Sequence, residues 1–397
     1  MTLNILFVSK LYPDSLLSSF QKQAKIGLDF AAHNLSMAIW TGFKDNGVDV
    51  DVLNTPQLGS WPFFHRTPFI HGYVDSHIVS VPYFNAMYVK RLSLERHVYK
   101  EMDSWCQKHN GKKIIFLYNF NYVGVAQQIK AKHSDVKFCM LITDLPQYMA
   151  TKKGFFTSVI NKTNHLQYES SFVQYKAIDG FVLLAKDMKE KLPIQGKKTV
   201  QIEGIYNNEV KVGSVPKESH KVIMYTGNLG VRYGIPDLLK AFMLIPDPNY
   251  RLWIRGNGEC ENLVRESSIK DNRIIYINRL TRKELTEMQQ RATLMVNPVH
   301  SSEDFTRFFF PSKTLEYLAS GTPTLMCKLT CLPEEYRNHL FFFNDESVEG
   351  MAYRIQEICQ KTQEELDVFG RSAADFIYRE KTPQPQVEKI LLFFAEL

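Results

Sequence analysis

Two α/β domains, each a doubly wound parallel sheet, are what this sequence predicts, and three observations predict them. Short apolar runs that end in polar residues alternate with helical stretches, beginning at Leu3–Ser9. A polar, turn-rich stretch at residues 206–220, YNNEVKVGSVPKESH, interrupts that rhythm, which restarts at Lys221. The length, 397 residues, suits two domains of roughly 150–200 residues each. The expected division is 1–205, a linker at 206–220, and 221–383, with a helix over 384–397 completing the first domain.

The first domain opens with the buried strand Leu3–Ser9 and a loop containing Tyr12-Pro13-Asp14-Ser15. A helix to about residue 46, the turn Asn46-Gly47 and a strand Val48–Leu53 follow. Ligands of such sheets sit at the carboxyl ends of strands, so Ser9–Ser19 is a candidate binding loop, with Ser9 and Tyr12 on the acceptor side. It lacks the GxGxxG dinucleotide fingerprint. Asp49-x-Asp51 has the spacing of a metal-binding DxD, but alternation along a strand explains it equally. Trp61–Phe69 is an aromatic, proline-broken loop that either covers the core or dips into a membrane. Ala86–Gly111 predicts a basic amphipathic helix, which lies either on its own domain or on anionic lipid. Strands are expected at Lys113–Tyr118, Val136–Ile142, Asp179–Leu184 and Thr199–Ile202. Thr143 and Asp144 end the second of these, as site residues or as an Asx or ST turn. Lys152–Phe156, KKGFF, is a basic-aromatic patch compatible with a membrane edge.

In the second domain the strand Lys221–Tyr225 runs into Gly227-Asn228-Leu229-Gly230-Val231-Arg232-Tyr233-Gly234, then a helix at Pro236–Phe242. Gly227 and Gly230 let backbone amides close on a diphosphate, and Arg232 is placed to pair with it. Arg251–Ile254 ends in Arg255, Arg273–Ile277 in Asn278-Arg279-Leu280, and Leu294–Val296 precedes Pro298. Phe308–Gly321, FFFPSKTLEYLASG, then carries a helix start at Pro311-Ser312 and a stop at Gly321-Thr322-Pro323. Leu315, Leu318 and Ala319 make one apolar face of a helix of about two turns. Its first amides and Lys313 suit a phosphate. Glu316 lies one residue too far from Ser312 for a capping box, which leaves its carboxylate free for a ribose diol. An ordinary solvated amphipathic helix is the alternative.

Composition narrows the class. Hydrophobic content of 44% and charged content of 23% are globular values. No apolar run approaches the ~18 residues of a membrane span. Six scattered cysteines without a CxxC pair point to reduced thiols and a cytoplasmic protein. Residues 1–205 hold 24 Lys+Arg against 16 Asp+Glu, a net +8, whereas the remainder is −2. The basic half suggests an anionic partner such as a membrane surface or a phospholipid-linked substrate. No Ser/His/Asp order, P-loop or nucleic-acid motif is present.

Four stretches, Ile142–Pro146, Ile202–Ile205, Tyr225–Gly230 and Phe310–Gly321, carry a resemblance to the GT-B glycosyltransferases, two Rossmann-like domains facing across a cleft. Within them the chain is similar to family 4, the retaining nucleotide-sugar transferases of bacterial polysaccharide assembly. The resemblance implies Glu316 at the nucleotide ribose, and Ser312, Lys313 and Thr314 at diphosphate and sugar. It implies Gly227, Asn228 and Gly230 at the diphosphate, Asn278 and Leu280 at the base, and Thr143 and Asp144 near the reacting sugar. The family's first glutamate falls on Phe308, so sugar recognition passes to Glu303, to Asp304 or to backbone groups, and Arg232, Lys313 and Arg255 meet the phosphate charge. Lys313, Arg232 and Asp144 are thus the expected catalytic set. The expected donor is a UDP-sugar, with no metal and no cofactor. The acceptor is lipid-linked (a polyprenyl diphosphate) or an oligosaccharide, in capsule, exopolysaccharide or O-antigen assembly, reached by peripheral attachment to the inner face of the membrane. A UDP-sugar 2-epimerase of the same architecture and a non-catalytic sugar- or lipid-binding subunit are the alternatives.

Overall fold

The computed structural model describes residues 3–145, 172–207, 215–278 and 280–397. The patch at Lys152–Phe156, Pro146, Arg279 and part of the expected linker lie outside these. The chain forms two compact units, Met1–Asn207 with Pro383–Leu397, and Asn208–Thr382. Residues 215–220 pack on the second unit: the Lys217 amine donates to the Ala292 carbonyl at 2.9 Å, and Glu218 pairs with Arg291.

In the first unit the strands are β1 (Leu3–Ser9), β2 (Asp51–Asn54), β3 (Phe69–Ile70), β4 (Tyr73–Val74), β5 (Ile78–Ser80), β6 (Tyr83–Phe84), β7 (Lys112–Tyr118), β8 (Val136–Ile142), β9 (Gly180–Leu183) and β10 (Lys198–Gln201). Its main sheet has the order β10-β9-β8-β7-β1-β2-β5-β4, parallel except where β4 runs against β5. Ile5–Val8 of β1, Ile114–Tyr118 of β7 and Phe138–Ile142 of β8 are continuous apolar runs, as strands covered on both faces of a parallel sheet require. The expected long first helix is two, Asp14–Gln23 and Phe30–Asp45. Asp29 begins the second by accepting from the amides of Ala31 and Ala32. The helix Pro383–Glu396 packs on it at Gly42, where a Cβ would stand 2.4 Å from both the Pro383 carbonyl and Val387. Phe394 fills the core there, 5.3 Å from the Phe116 ring and 6.4 Å from that of Phe43.

The second unit comprises β11 (Lys221–Asn228), β12 (Tyr250–Asn257), β13 (Ile274–Ile277), β14 (Leu294–Asn297), β15 (Thr324–Met326) and β16 (Phe341–Phe342). They form an all-parallel sheet in the order β13-β12-β11-β14-β15-β16. Both sheets reverse strand order beside their first strand, between β1 and β7 and between β11 and β14. Such a switch point leaves a crevice outside the carboxyl ends, where ligands of this architecture bind. The two doubly wound α/β units are those expected from the sequence.

Candidate functional site

The loops after β11 and β14 flank the second unit's switch point, and most of the expected donor residues stand on them. β11 is longer than its apolar run, since Gly227 and Asn228 stay paired in register with Gly256 and Asn257. The helix Lys313–Ala319 runs back from this edge. Tyr317 ties it to β11: its hydroxyl donates to the Thr226 carbonyl at 2.7 Å and accepts from the Thr226 amide at 2.8 Å. Those two hydrogen bonds fix where the first turn of the helix stands.

Lys313 is the centre of the arrangement. A Cβ on Gly227 would lie 2.2 Å from its amine, so the glycine is what admits the charge to the strand end. Burial lowers the Lys313 pKa to about 8; Glu316, one turn along the same face, pulls it up and Arg255 pushes it down. Arg255 lies two residues before the end of β12, and its buried Nε has no hydrogen-bond partner among the described residues. Glu316 is half-buried and its carboxylate accepts no hydrogen bond among them either. Two cationic side chains and one carboxylate thus meet at one strand edge with bonding capacity left over. Ser312 is exposed just before the helix.

Arg232 is held differently. Its guanidinium lies 4.6 Å from the centre of the Phe305 ring and donates to the Tyr233 hydroxyl at 3.0 Å. It therefore bridges the two switch-point loops. Gly230 precedes it, and the Val231 amide is already taken by the Glu259 carboxylate at 2.8 Å. Asn228 is exposed, and its carbonyl accepts from the Tyr225 hydroxyl at 2.7 Å. Glu303 is half-buried on the loop after β14. Asn278 and Leu280 follow β13, at the sheet edge two strands from β11. Phe308, where the family's first glutamate falls, is 2% exposed, so that position belongs to the core.

The loops also lock together. Gly234 has φ +74, and a Cβ there would stand 2.0 Å from the Pro298 carbonyl oxygen. Gly234→Ala is expected to destabilise the second unit by more than about 1–2 kcal/mol, the cost of the left-handed conformation alone. A denaturation midpoint equal to wild type would show that the loops part freely.

Three expected site residues are corrected. Thr314 is buried; its amide donates to the Pro311 carbonyl at 2.8 Å and its hydroxyl faces the Met326 sulfur, so it packs the helix inward. Ser9 is buried and donates to Asn54 Oδ1 at 3.1 Å. Tyr12 is buried against Phe20, with its hydroxyl on the Gln57 carbonyl at 2.7 Å. Asp49 and Asp51 are structural: Asp51 accepts from the Trp105 indole at 2.7 Å and Asp49 lies 3.6 Å from His77.

At the first unit's switch point Thr143 donates its amide to Asn119 Oδ1 at 3.1 Å, and Asn119 Nδ2 returns a bond to its hydroxyl at 3.1 Å. Asn119 has φ +61, a conformation uncommon for a residue with a side chain and tolerated best by Asn and Asp. Beside it Asp144 is half-buried, and burial raises its pKa, opposed by the Thr143 hydrogen bond and helped by the charge of Asp29. Asn119 was not singled out from the sequence, and Lys10 only as part of the Ser9–Ser19 loop. Both stand one residue past an apolar strand run, the same signal that singled out Thr143 and Ser9.

Residues 220–361 match a family model described as glycosyl transferases group 1. None of the curated proteins matches the chain by sequence. Among solved structures the chain is similar to the sucrose-phosphate synthase of Thermosynechococcus elongatus, with 12% identity, TM-score 0.63, and coverage of 99% of this chain and 98% of that one. The pneumococcal O-GlcNAc transferase GtfA, in complex with UDP and GlcNAc, gives 11% identity, TM-score 0.59, and coverage of 99% of each chain. The lipopolysaccharide outer core galactosyltransferase WaaB gives 12%, TM-score 0.62, and coverage of 99% and 100%. The chain thus has, over its whole length, the fold of GT-B glycosyltransferases, and its second unit is similar to the group 1 glycosyl transferases.

Proposed function

We propose that this chain is a retaining glycosyltransferase of family 4 type that moves a hexosyl group from a UDP-sugar to a lipid-linked or polysaccharide acceptor. The observation that carries the reading is the meeting of Lys313, Arg255 and Glu316 at the β11 edge, with a buried Arg255 Nε that has no hydrogen-bond partner among the described residues. A diphosphate supplies the missing acceptors, and a ribose diol suits the carboxylate. The matched family model spans this edge, and the GtfA structure of the same fold holds UDP.

In this mechanism the diphosphate leaves with growing negative charge. Lys313 and Arg232 stabilise it as it develops, each such group lowering the barrier by about 3 kcal/mol. The departing phosphate accepts the proton of the attacking hydroxyl, and Asp144 orients the reacting sugar. The charge work falls on side chains, and no cofactor is required.

The acceptor reading draws on the first unit. Trp61, Phe63, Phe64, Tyr88 and Leu92 are all exposed, and Lys25 and Arg66 lie beside the aromatic loop. Apolar rings next to cations suit the interface of an anionic membrane. That reading places the reaction in surface-polysaccharide assembly, at the inner membrane face.

A thermal-shift series of the full chain with UDP, GDP, ADP and CMP tests the donor. Selective stabilisation by UDP is expected, growing with ligand concentration as linkage requires. No shift with any nucleotide diphosphate would overturn the reading. Incubation with UDP-sugar alone should leave the donor sugar unchanged, and an epimerised donor would favour the epimerase.

A further inference from the structure

We propose that His300 is a positioning residue that fixes Glu303 against the donor sugar, and so sets which UDP-sugar the second unit prefers. This rests on the reading of that unit as the UDP-sugar site. His300 stands on the loop after β14, three residues past the strand. Its Nε2 lies 3.0 Å from Asp237 Oδ2, in the first turn of the helix Ile235–Met243. Its Nδ1 lies 3.4 Å from Glu346 Oε2, just before the helix Val348–Cys359. Both ring nitrogens thus face carboxylate oxygens. A neutral imidazole has one N–H and turns a lone pair on the second carboxylate, so the charged ring is the form that holds both.

The groups around the ring are few. Asp237 meets Lys240, one turn along its own helix, at 3.5 Å. Glu346 accepts from the Ser301 amide at 2.9 Å. Burial first, and then the charge of Glu346, pushes up the thiol of Cys327, which follows β15. An isolated ion pair in full solvent contributes little, but here one ring joins three segments of the second unit. Its side chain is 23% exposed, and those of Asp237 and Glu346 are 35% and 26%.

What the ring holds is the segment that displays Glu303. The His300 carbonyl accepts from the Glu303 amide at 3.3 Å, which closes a turn over the exposed Ser301 and Ser302. The Glu303 carbonyl in turn accepts from the Thr306 amide at 2.9 Å and the Thr306 hydroxyl at 2.7 Å. Phe305 packs on the Tyr233 ring at 5.9 Å between centres, and the Arg232 guanidinium lies over it. The segment is therefore pinned at His300 and at Phe305–Thr306, and Glu303 lies between. Both backbone groups of Glu303 are spent on those pins, while its half-buried carboxylate accepts no hydrogen bond among the described residues. An ionised carboxylate only accepts, so it suits sugar hydroxyls and reads where they point. Such a reader discriminates only while its backbone is held in one place.

The probes are UDP, UDP-glucose, UDP-galactose and UDP-N-acetylglucosamine, titrated by calorimetry into the full chain. Wild type should favour one sugar over the others. His300→Ala should shrink that preference about ten-fold and keep UDP affinity within about two-fold of wild type. Glu303→Gln should shrink it alike, and the double variant should add nothing to either single loss, a coupling that a purely fold-stabilising ring does not produce. Asp237→Asn removes one of the two facing charges at nearly constant shape, and should act in the same direction if His300→Ala does not fold. An unchanged preference in the folded variants, additive losses in the double variant, or a wild type that binds all three sugars alike would overturn the proposal. Absence of UDP binding in wild type would overturn the transferase reading and this proposal with it, whereas UDP binding with unmoved preferences overturns this proposal alone.

Discussion

Lys313→Ala is expected to lower turnover by about two to three orders of magnitude, the usual cost of losing one preorganised donor to a developing charge. The amine is already in place at the β11 edge, against Gly227, so little reorganisation accompanies the reaction. Its pKa of about 8 adds a pH signature. The amine is charged below that value and neutral above it. Turnover per encounter, kcat/KM, should therefore fall as pH rises through about 8, because this parameter reports the free enzyme. The kcat limb should lie higher, since a bound diphosphate favours the charged form. Stability has the opposite sign. The unfolded chain binds the lysine proton more tightly, so between about 8 and the ordinary 10.5 folding becomes more favourable with rising pH. Lys313→Ala should remove both the kinetic limb and that increment while leaving the fold intact. A wild-type kcat in a folded Lys313→Ala chain would take this side chain out of the mechanism.

Why Lys313 was legible in the sequence, while Lys10 was not, follows from how each is placed. Pro311-Ser312-Lys313 is a local signal, and helical period puts Lys313 and Glu316 three residues apart on one face, away from Leu315 and Leu318. The same period already placed Thr314 with Leu318 on the inner face, so its burial was readable and was passed over. Lys10, by contrast, is buried with its ammonium beside the ring of Tyr122, a residue more than a hundred positions away in the chain, and no window of about 18 residues contains that fact. Strand interiors were plain for the same local reason: Val136–Ile142 is apolar but for Lys137, and the structure begins and ends it at the same residues. The end of β11 was not plain, because Gly227 and Asn228 remain strand only through their partners on β12. Asn119 turns left-handed after β7, a conformation that its residue type permits and only the Thr143 bonds explain.

Glu316→Ala is expected to weaken UDP-sugar binding about 10- to 150-fold, the equivalent of the roughly 1.5–3 kcal/mol carried by hydrogen bonds to a charged group. The carboxylate is the acceptor-only group at the edge, and the chain leaves it unbonded among the described residues. The helix beneath it is held by Tyr317 on Thr226, so truncating the neighbouring side chain should not move the backbone. Calorimetry with UDP and 2′-deoxy-UDP closes a double-mutant cycle. Wild type should discriminate against the deoxy ligand, and Glu316→Ala should bind both alike. Equal loss for both ligands in both proteins would place the carboxylate away from the ribose. A second consequence is independent of the nucleotide. Glu316 raises the Lys313 pKa, so its removal should carry the kcat/KM limb below about 8. A limb that stays put would mean the two charges do not share the edge, and the diphosphate and ribose contacts would have to be assigned separately.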